Sequence, residues 1–224
     1  LELLDTTING NFENNKIFDD KNKERSYGFA EVTLQAVLNQ VSLSATGFYK
    51  TPDVFFNRET GKGNPYHYFS YGMAVSEVKV DTLTGHHNIE RTDIIHDVGE
   101  SILSNIDKGQ IEGAFIQGVG WCTTEECKWD GKGNLLNHSP DTYKIPGIQD
   151  IPDVFNVDLL QGAPNLNTIR KSKAVGEPPF MLCFSVWLAI KDAISATQNH
   201  TKEPNIQIPM TNEDILLSIE NLKD

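Results

Sequence analysis

Tyr66-His-Tyr-Phe-Ser-Tyr-Gly-Met-Ala-Val-Ser-Glu-Val-Lys-Val80, followed by Asp81-Thr-Leu-Thr-Gly85, is the stretch whose reading decides the fold class. Aromatic and β-branched residues dominate it (Tyr66, Tyr68, Phe69, Tyr71, Val75, Val78 and Val80), and such side chains fit a pleated surface. Val78 and Val80 alternate with Lys79 and Asp81, the period of two expected of a strand. Leu83-Thr84-Gly85 supplies turn chemistry, and a second strand-like run extends from Ile89 to Val98. The pair predicts an antiparallel hairpin. Four histidines, His86, His87, His96 and His138, lie in or near it. A histidine metal site wants a fixed helical or strand spacing, and His86-His87 at a turn diverge, so a solvated turn is the better reading.

Upstream, Glu31-Val-Thr-Leu-Gln-Ala-Val-Leu-Asn39 spaces its apolar residues as a helix does and should pack one face on the core. Residues 1 to about 25 are polar and read as a helix end followed by a solvated insertion. Downstream, residues 107 to about 124 read as a helix with Ile111, Ala114, Phe115, Gly118 and Val119 on one face. Gly109, Gly113, Gly118 and Gly120 interrupt it, each at a cost of about 1 kcal/mol relative to alanine. Two explanations stand: close packing against another backbone, which the spacing favours, or close approach of a bulky cofactor. The G-x-x-x-G from Gly109 to Gly113 lacks the setting of a phosphate loop. Residues 129–134 form a turn by Asp-Gly and Gly-Asn chemistry, and residues 154–160 alternate as a strand. The elements together predict an α+β fold of antiparallel strands packed with helices.

The bulk numbers narrow the function classes. The 224 residues suffice for one large domain or two small lobes, and 38% hydrophobic with 22% charged suits a globular chain. Nineteen Lys and Arg against thirty-one Asp and Glu give a formal charge of −12, which argues against a sequence-independent grip on nucleic acid or anionic lipid. No apolar run is read as approaching the ~20 residues of a spanning helix, and no signal segment opens the chain. The chain begins with Leu1, so an excerpt of a longer protein is expected. Three cysteines, Cys122, Cys127 and Cys183, are too few for a structural zinc or iron–sulfur site. Their odd count argues against a disulfide scaffold and for a reducing compartment, with unreactive thiols as the default.

The last third carries the chemistry. Ser172-Lys173-Ala174-Val175-Gly176-Glu177-Pro178-Pro179 leads into residues 180–196, where Leu182, Cys183, Val186, Trp187, Ile190, Ala193 and Ile194 recur at helical intervals. Proline is tolerated in a first helical turn, so Glu177 stands at the amino end of a largely buried helix. The plain explanation of such a carboxylate is a favourable neighbour of the helix dipole, worth roughly 0.3–1 kcal/mol. Yet Gly176 lets a group approach closely, and the apolar sequence that follows would desolvate the carboxylate while the dipole favours its charge. A glutamate balanced in that way can act as a general base. A final helix is expected from Thr211, where Thr211 and Asp214 approximate a capping box.

Gly-Glu-Pro-Pro, preceded by Ser-Lys-Ala-Val and followed by Ile190-Lys191-Asp192-Ala193, resembles the segment around the catalytic glutamate of the xanthine dehydrogenase family of molybdenum hydroxylases. Other blocks resemble the same family in the expected order. They are Val41-Ser-Leu-Ser-Ala-Thr-Gly-Phe-Tyr49, residues 63–72, Arg91-Thr-Asp-Ile94, Asp97-Val-Gly99, residues 109–118 and Tyr143-Lys-Ile-Pro146. The resemblance implies a variable lead-in and helix at 1–40. It implies the C-terminal portion of a molybdopterin-binding domain, an incomplete lobe, at 41–197, and a tail with a terminal helix at 198–224.

In such a family Glu177 would take a proton from a molybdenum-bound hydroxyl, whose oxygen then attacks a purine carbon while hydride passes to the metal centre. Gln110 would hydrogen-bond the molybdopterin and Gly176 would let backbone crowd the metal site; no metal ligand is assigned to this chain. The implied reaction takes hypoxanthine or xanthine to urate. FAD, 2Fe-2S clusters and the NAD reaction would belong to upstream domains, in a cytoplasmic or peroxisomal homodimer. An aldehyde oxidase segment and a non-catalytic truncated remnant are the alternatives, and this segment alone is expected to be inactive. Ser104-Asn105 and Lys108 depart from the family pattern at the start of the glycine-rich helix. Standing alone, the lobe should expose apolar surface where its missing half docks.

Overall fold

The computed structural model describes residues 10–19 and 22–223. The chain divides into two compact units, Leu1–Thr51 and Pro52–Asp224. In the first, β1 (Gly10–Glu13), β2 (Lys16–Asp19) and β3 (Asn22–Gly28) form an antiparallel meander. This corrects the expectation of a solvated insertion. Asn14 and Asn15 both adopt positive φ, 50° and 60°, the conformation of a tight two-residue hairpin turn that asparagine tolerates. The turn chemistry therefore organises a stretch too polar to look like strands. The helix end expected at the very start lies outside the described residues. Helix α1 (Phe29–Leu38) forms as expected, but Ala36 is the buried residue on it while Phe29, Leu34, Val37 and Leu38 are each more than half exposed.

In the second unit, a short hairpin of β4 (Phe55–Asn57) and β5 (Lys62–Asn64) precedes the main sheet. The expected hairpin is present as β6 (Gly72–Val80) and β7 (His87–His96), antiparallel, but the aromatic residues 66–71, read as part of the first strand, lie before it and pair with no strand. A bulge leaves Glu90 unmatched, with Val78 opposite Ile89 and Glu77 opposite Arg91. The extra residue reverses the alternation, so Ile89 and Thr92 are both buried although three positions apart. β8 (Val154–Leu159) completes the order β6-β7-β8, but it runs parallel to β7. Alternation specified that run as a strand without specifying its direction. A parallel neighbour needs a crossover, and α2 (Ser104–Thr123) lies within it. Arg91, two residues earlier on β7, and Asn156, across the pairing on β8, both hold the Asp93 carboxylate and pull its pKa down to about 2, with the Arg91 hydrogen bond the larger cause.

Alternate residues of the sheet meet a core shared with α2, α3 (Phe184–Ala196) and α4 (Asn212–Asn221). Ile111, Phe115, Val186, Ile190, Ile194 and Ile215 are fully buried there. The other set of sheet residues leaves Met73 and Val75 at 66% and 64% exposure, and Ile95 is exposed as well, so apolar surface is open as anticipated. The helix expected from residue 180 starts as a 3-10 segment, Pro178–Cys183, before α3. Pro178–Ala196 has the length and hydropathy of a membrane-spanning helix, contrary to the sequence reading. Its Cys183, Val186, Ile190 and Ile194 are fully buried among the other elements, the environment of a core helix. Thr211 and Asp214 make the anticipated capping box on α4.

The tightest approach in this core is at Gly118 of α2. A Cβ there would stand 2.5 Å from the Phe180 carbonyl oxygen and 2.8 Å from Cys183 Sγ. Gly118→Ala should therefore destabilise the fold by about 1–3 kcal/mol, measured by denaturant unfolding. A second prediction concerns acid. Burial holds His96 below the ordinary histidine pKa, with nearby Asp97 opposing. The unfolded chain then binds the proton more readily, so stability is level above about pH 6.5 and falls as pH drops below it. The thermal midpoint should follow that course, with a shallower fall in His96→Leu.

Candidate active site

The segment that carries Glu177 is fixed to the end of the sheet. Immediately after β7, Asp97 is buried, and its carboxylate pairs with Lys173, whose side chain is 11% exposed. Lys173 Nζ also donates to the Phe69 carbonyl at 2.9 Å, and its backbone N–H donates to Val98 O at 2.8 Å. Gly99, at φ 67°, turns the chain in a conformation that side chains disfavour, and it bridges to Ser172. The Glu100 N–H reaches Lys171 O at 3.0 Å, and the Ala174 N–H donates to the Tyr68 hydroxyl at 2.8 Å. Residues 171–174 are thus bound to both the exit of β7 and the aromatic segment before β6.

Three residues further on, the backbone emerges. Glu177 is exposed, with φ −93° and ψ −24°, and its carbonyl accepts the Phe180 N–H at 2.9 Å. Its carboxylate makes no capping bond to the turn that follows. The desolvating surroundings expected from the sequence are not supplied by this chain. Pro179 and Cys183 turn into the core, while Glu177 and Pro178 stay on the surface. The element that Glu177 precedes opens as a six-residue 3-10 segment and continues directly into α3.

Gln110 and Gly176, two of the residues singled out from the sequence, lie close together at this corner. A Cβ on Gly176 would lie 4.0 Å from Gln110 Oε1, and Gln110 is exposed on α2. The four glycines of α2 divide between the two explanations. Gly118 and Gly120 are packed against neighbouring atoms, the plain reading. A Cβ on Gly109 or Gly113 would meet nothing within 4 Å, so the helix presents open backbone on either side of Gln110. Lys108, one of the departures from the family pattern, pairs with Asp158 of β8 at 3.0 Å. Among the described residues, no group of three or more His, Cys, Asp or Glu could hold a metal ion.

Sequence reasoning missed the positioning roles of Tyr68, Asp97 and Lys173. Their motif blocks were legible, but Asp97 and Lys173 are 76 positions apart and nothing local couples them. A separate cavity of about 390 Å³ is lined by His86, His87, Thr123, Lys144, Asp150 and Asn212, among others. It includes none of Gln110, Gly176 or Glu177.

Residues 4–152 match the family model of the molybdopterin cofactor-binding domain. The chain is 54% identical over 180 residues to a xanthine dehydrogenase/oxidase of Gallus gallus, covering 79% of this chain and 13% of the relative. It is 52% identical over 178 residues to the xanthine dehydrogenase/oxidase of Felis catus, covering 80% of this chain and 13% of that protein. The fold resembles reconstituted CO dehydrogenase from Oligotropha carboxidovorans, with a TM-score of 0.68 and 20% identity over 96% of this chain and 25% of that one. The chain thus spans about 13% of the length of the relatives it matches in sequence.

Breaking the buried pair should release the glutamate segment. Asp97→Ala leaves Lys173 without its counter-charge at a cost of about 3–5 kcal/mol. Amide hydrogen exchange at residues 171–177 should accelerate more than in the helical core. Unchanged exchange there would show that the pair does not hold the segment.

Proposed function

Because this chain belongs to the molybdopterin cofactor-binding domain family, we propose that it forms the catalytic-glutamate wall of a molybdenum hydroxylase of the xanthine dehydrogenase kind. The observation that carries the reading is the corner where open backbone at Gly109 and Gly113 flanks Gln110, with Gly176 beside it and Glu177 next in sequence. A flat, polar cofactor fits this arrangement: bare helix backbone permits close approach, and the Gln110 amide offers both a donor and an acceptor. When bound, the molybdenum cofactor supplies the two-electron chemistry of substrate oxidation. Gln110 holds its polar edge, and Gly176 leaves room for it beside the backbone.

Glu177 is the general base in this scheme, accepting a proton at its carboxylate as substrate is attacked. Its exposure fits a group whose surroundings are completed by the rest of a longer polypeptide, which would bury the carboxylate and exclude water. The anchoring through Lys173 and Asp97 then fixes where the carboxylate stands, which matters because misplacement by about 1 Å can cost 10²-fold in rate. The substrate is a purine, hypoxanthine or xanthine, oxidised to urate. FAD and 2Fe-2S clusters sit in other domains of the same enzyme, a cytoplasmic homodimer. Residues 41–197 are the C-terminal portion of the molybdopterin-binding domain in this reading.

The test uses the native protein that carries this sequence. Glu177→Gln should lower kcat on xanthine by about 10²–10⁴-fold, the range for loss of a general base, with molybdenum content and thermal midpoint unchanged. Turnover of aldehydes in place of purines would move the assignment to aldehyde oxidation. A native protein without molybdenum would make the chain a non-catalytic remnant and overturn the proposal.

A further inference from the structure

Two of the three cysteines, 61 positions apart, meet in the core. Cys122 Sγ on α2 lies 3.4 Å from Cys183 Sγ at the end of the 3-10 segment, and both side chains are fully buried. The third, Cys127, is exposed. We propose that Cys122 and Cys183 are an oxidative modification site, closing to an intrachain disulfide that ties α2 to the segment directly after Glu177. A disulfide bond is about 2.05 Å long, so the sulfurs must approach by roughly 1.4 Å. Gly118 makes room for the pair, since its missing side chain leaves the space into which Cys183 packs. Trp121 packs beside it against Phe180 and Phe184, at ring separations of 5.6 Å and 6.0 Å. The two thiols are therefore held together by the packing rather than meeting by chance encounter.

The oxidant is a peroxide, small enough to enter through local opening of the core. The Cys183 thiolate attacks one peroxide oxygen, forming an S–O bond and breaking the O–O bond, and hydroxide leaves and takes up a proton as water. The Cys122 sulfur, losing its proton, then attacks the Cys183 sulfur. An S–S bond forms, the S–O bond breaks, and a second water departs. Two thiols have lost two electrons and two protons, and hydrogen peroxide has become two waters. The Cys122 thiol hydrogen-bonded to Cys183 holds the Cys183 pKa below the ordinary thiol range and pushes that of Cys122 up, which sets this order of events. A dithiol reductant reverses the bond by exchange. The covalent loop then spans residues 122–183 and encloses β8 and Glu177.

The experiment treats the native protein with hydrogen peroxide, quenches in acid and alkylates free thiols. Cleavage at both lysine and glutamate separates the three cysteines, because Glu125 lies between Cys122 and Cys127 and Lys128 lies between Cys127 and Cys183. The expected product is a joined peptide pair through Cys122 and Cys183, lighter by two hydrogens and lost on dithiothreitol treatment. It should form equally in Cys127→Ser, and that variant's thermal midpoint should be higher oxidised than reduced. Recovery of Cys122 and Cys183 as separate alkylated or over-oxidised peptides, at peroxide doses that fully oxidise Cys127, would overturn the proposal. So would joining of either to Cys127. Cys183→Ala should abolish the joined pair, and should it fail to fold, the Cys127→Ser comparison decides the matter alone.

Discussion

The ion pair between Asp97 and Lys173 is the constraint on which the site's geometry rests. It lies where the central strand of the sheet ends, and burial makes each charge dependent on the other. Through it the sheet is coupled to a segment with little regular structure of its own. Lys173 contributes backbone and side-chain bonds together, to Val98 and Phe69, while Ala174 adds the Tyr68 hydroxyl. From that anchor the chain travels only four residues to Glu177. A carboxylate on a surface loop gains in this way a position set by the sheet.

Around the anchored segment, packing and openness are distributed unequally along one helix. The C-terminal half of α2 is pressed against the 3-10 segment at Gly118 and against Pro146 at Gly120. The N-terminal half presents Gly109, Gln110 and Gly113 to open space. The same residue type thus answers two demands, close contact with the chain's own backbone and vacancy for something else. The exposed apolar side chains Met73, Val75 and Ile95 add a second open face, on the sheet. Both belong to a unit whose core is complete on one side only.

Much of this was legible in the sequence, and the parts that were not share a cause. Alternation and turn chemistry located β6 and β7, and helical spacing located α2, because those signals are local. The capping residues of α4 were legible for the same reason. The meander of the first unit escaped because its strands carry little hydrophobic alternation and its turn residues, Asn14 and Asn15, looked like part of a solvated run. The parallel direction of β8 escaped because the period of a strand is the same in either direction. The corner of Gln110, Gly176 and Glu177 was read through motif resemblance; periodicity alone left the glycines of α2 ambiguous and overstated the burial of Glu177. The Asp97–Lys173 and Cys122–Cys183 contacts are tertiary, and no feature of spacing announces either.

The parallel pairing of β8 also orders events in time. β6 and β7 are joined by six residues, and their pairing closes a short loop. β7 gains its second neighbour only after the chain has run from His96 through the whole of α2 to Val154. A chain emerging from its amino end therefore carries a finished hairpin whose β7 edge stays unpaired while the crossover and β8 are still being made. That edge is a template for any other extended segment nearby. Completing the crossover does more than position a helix: it withdraws the central strand from competition with foreign partners.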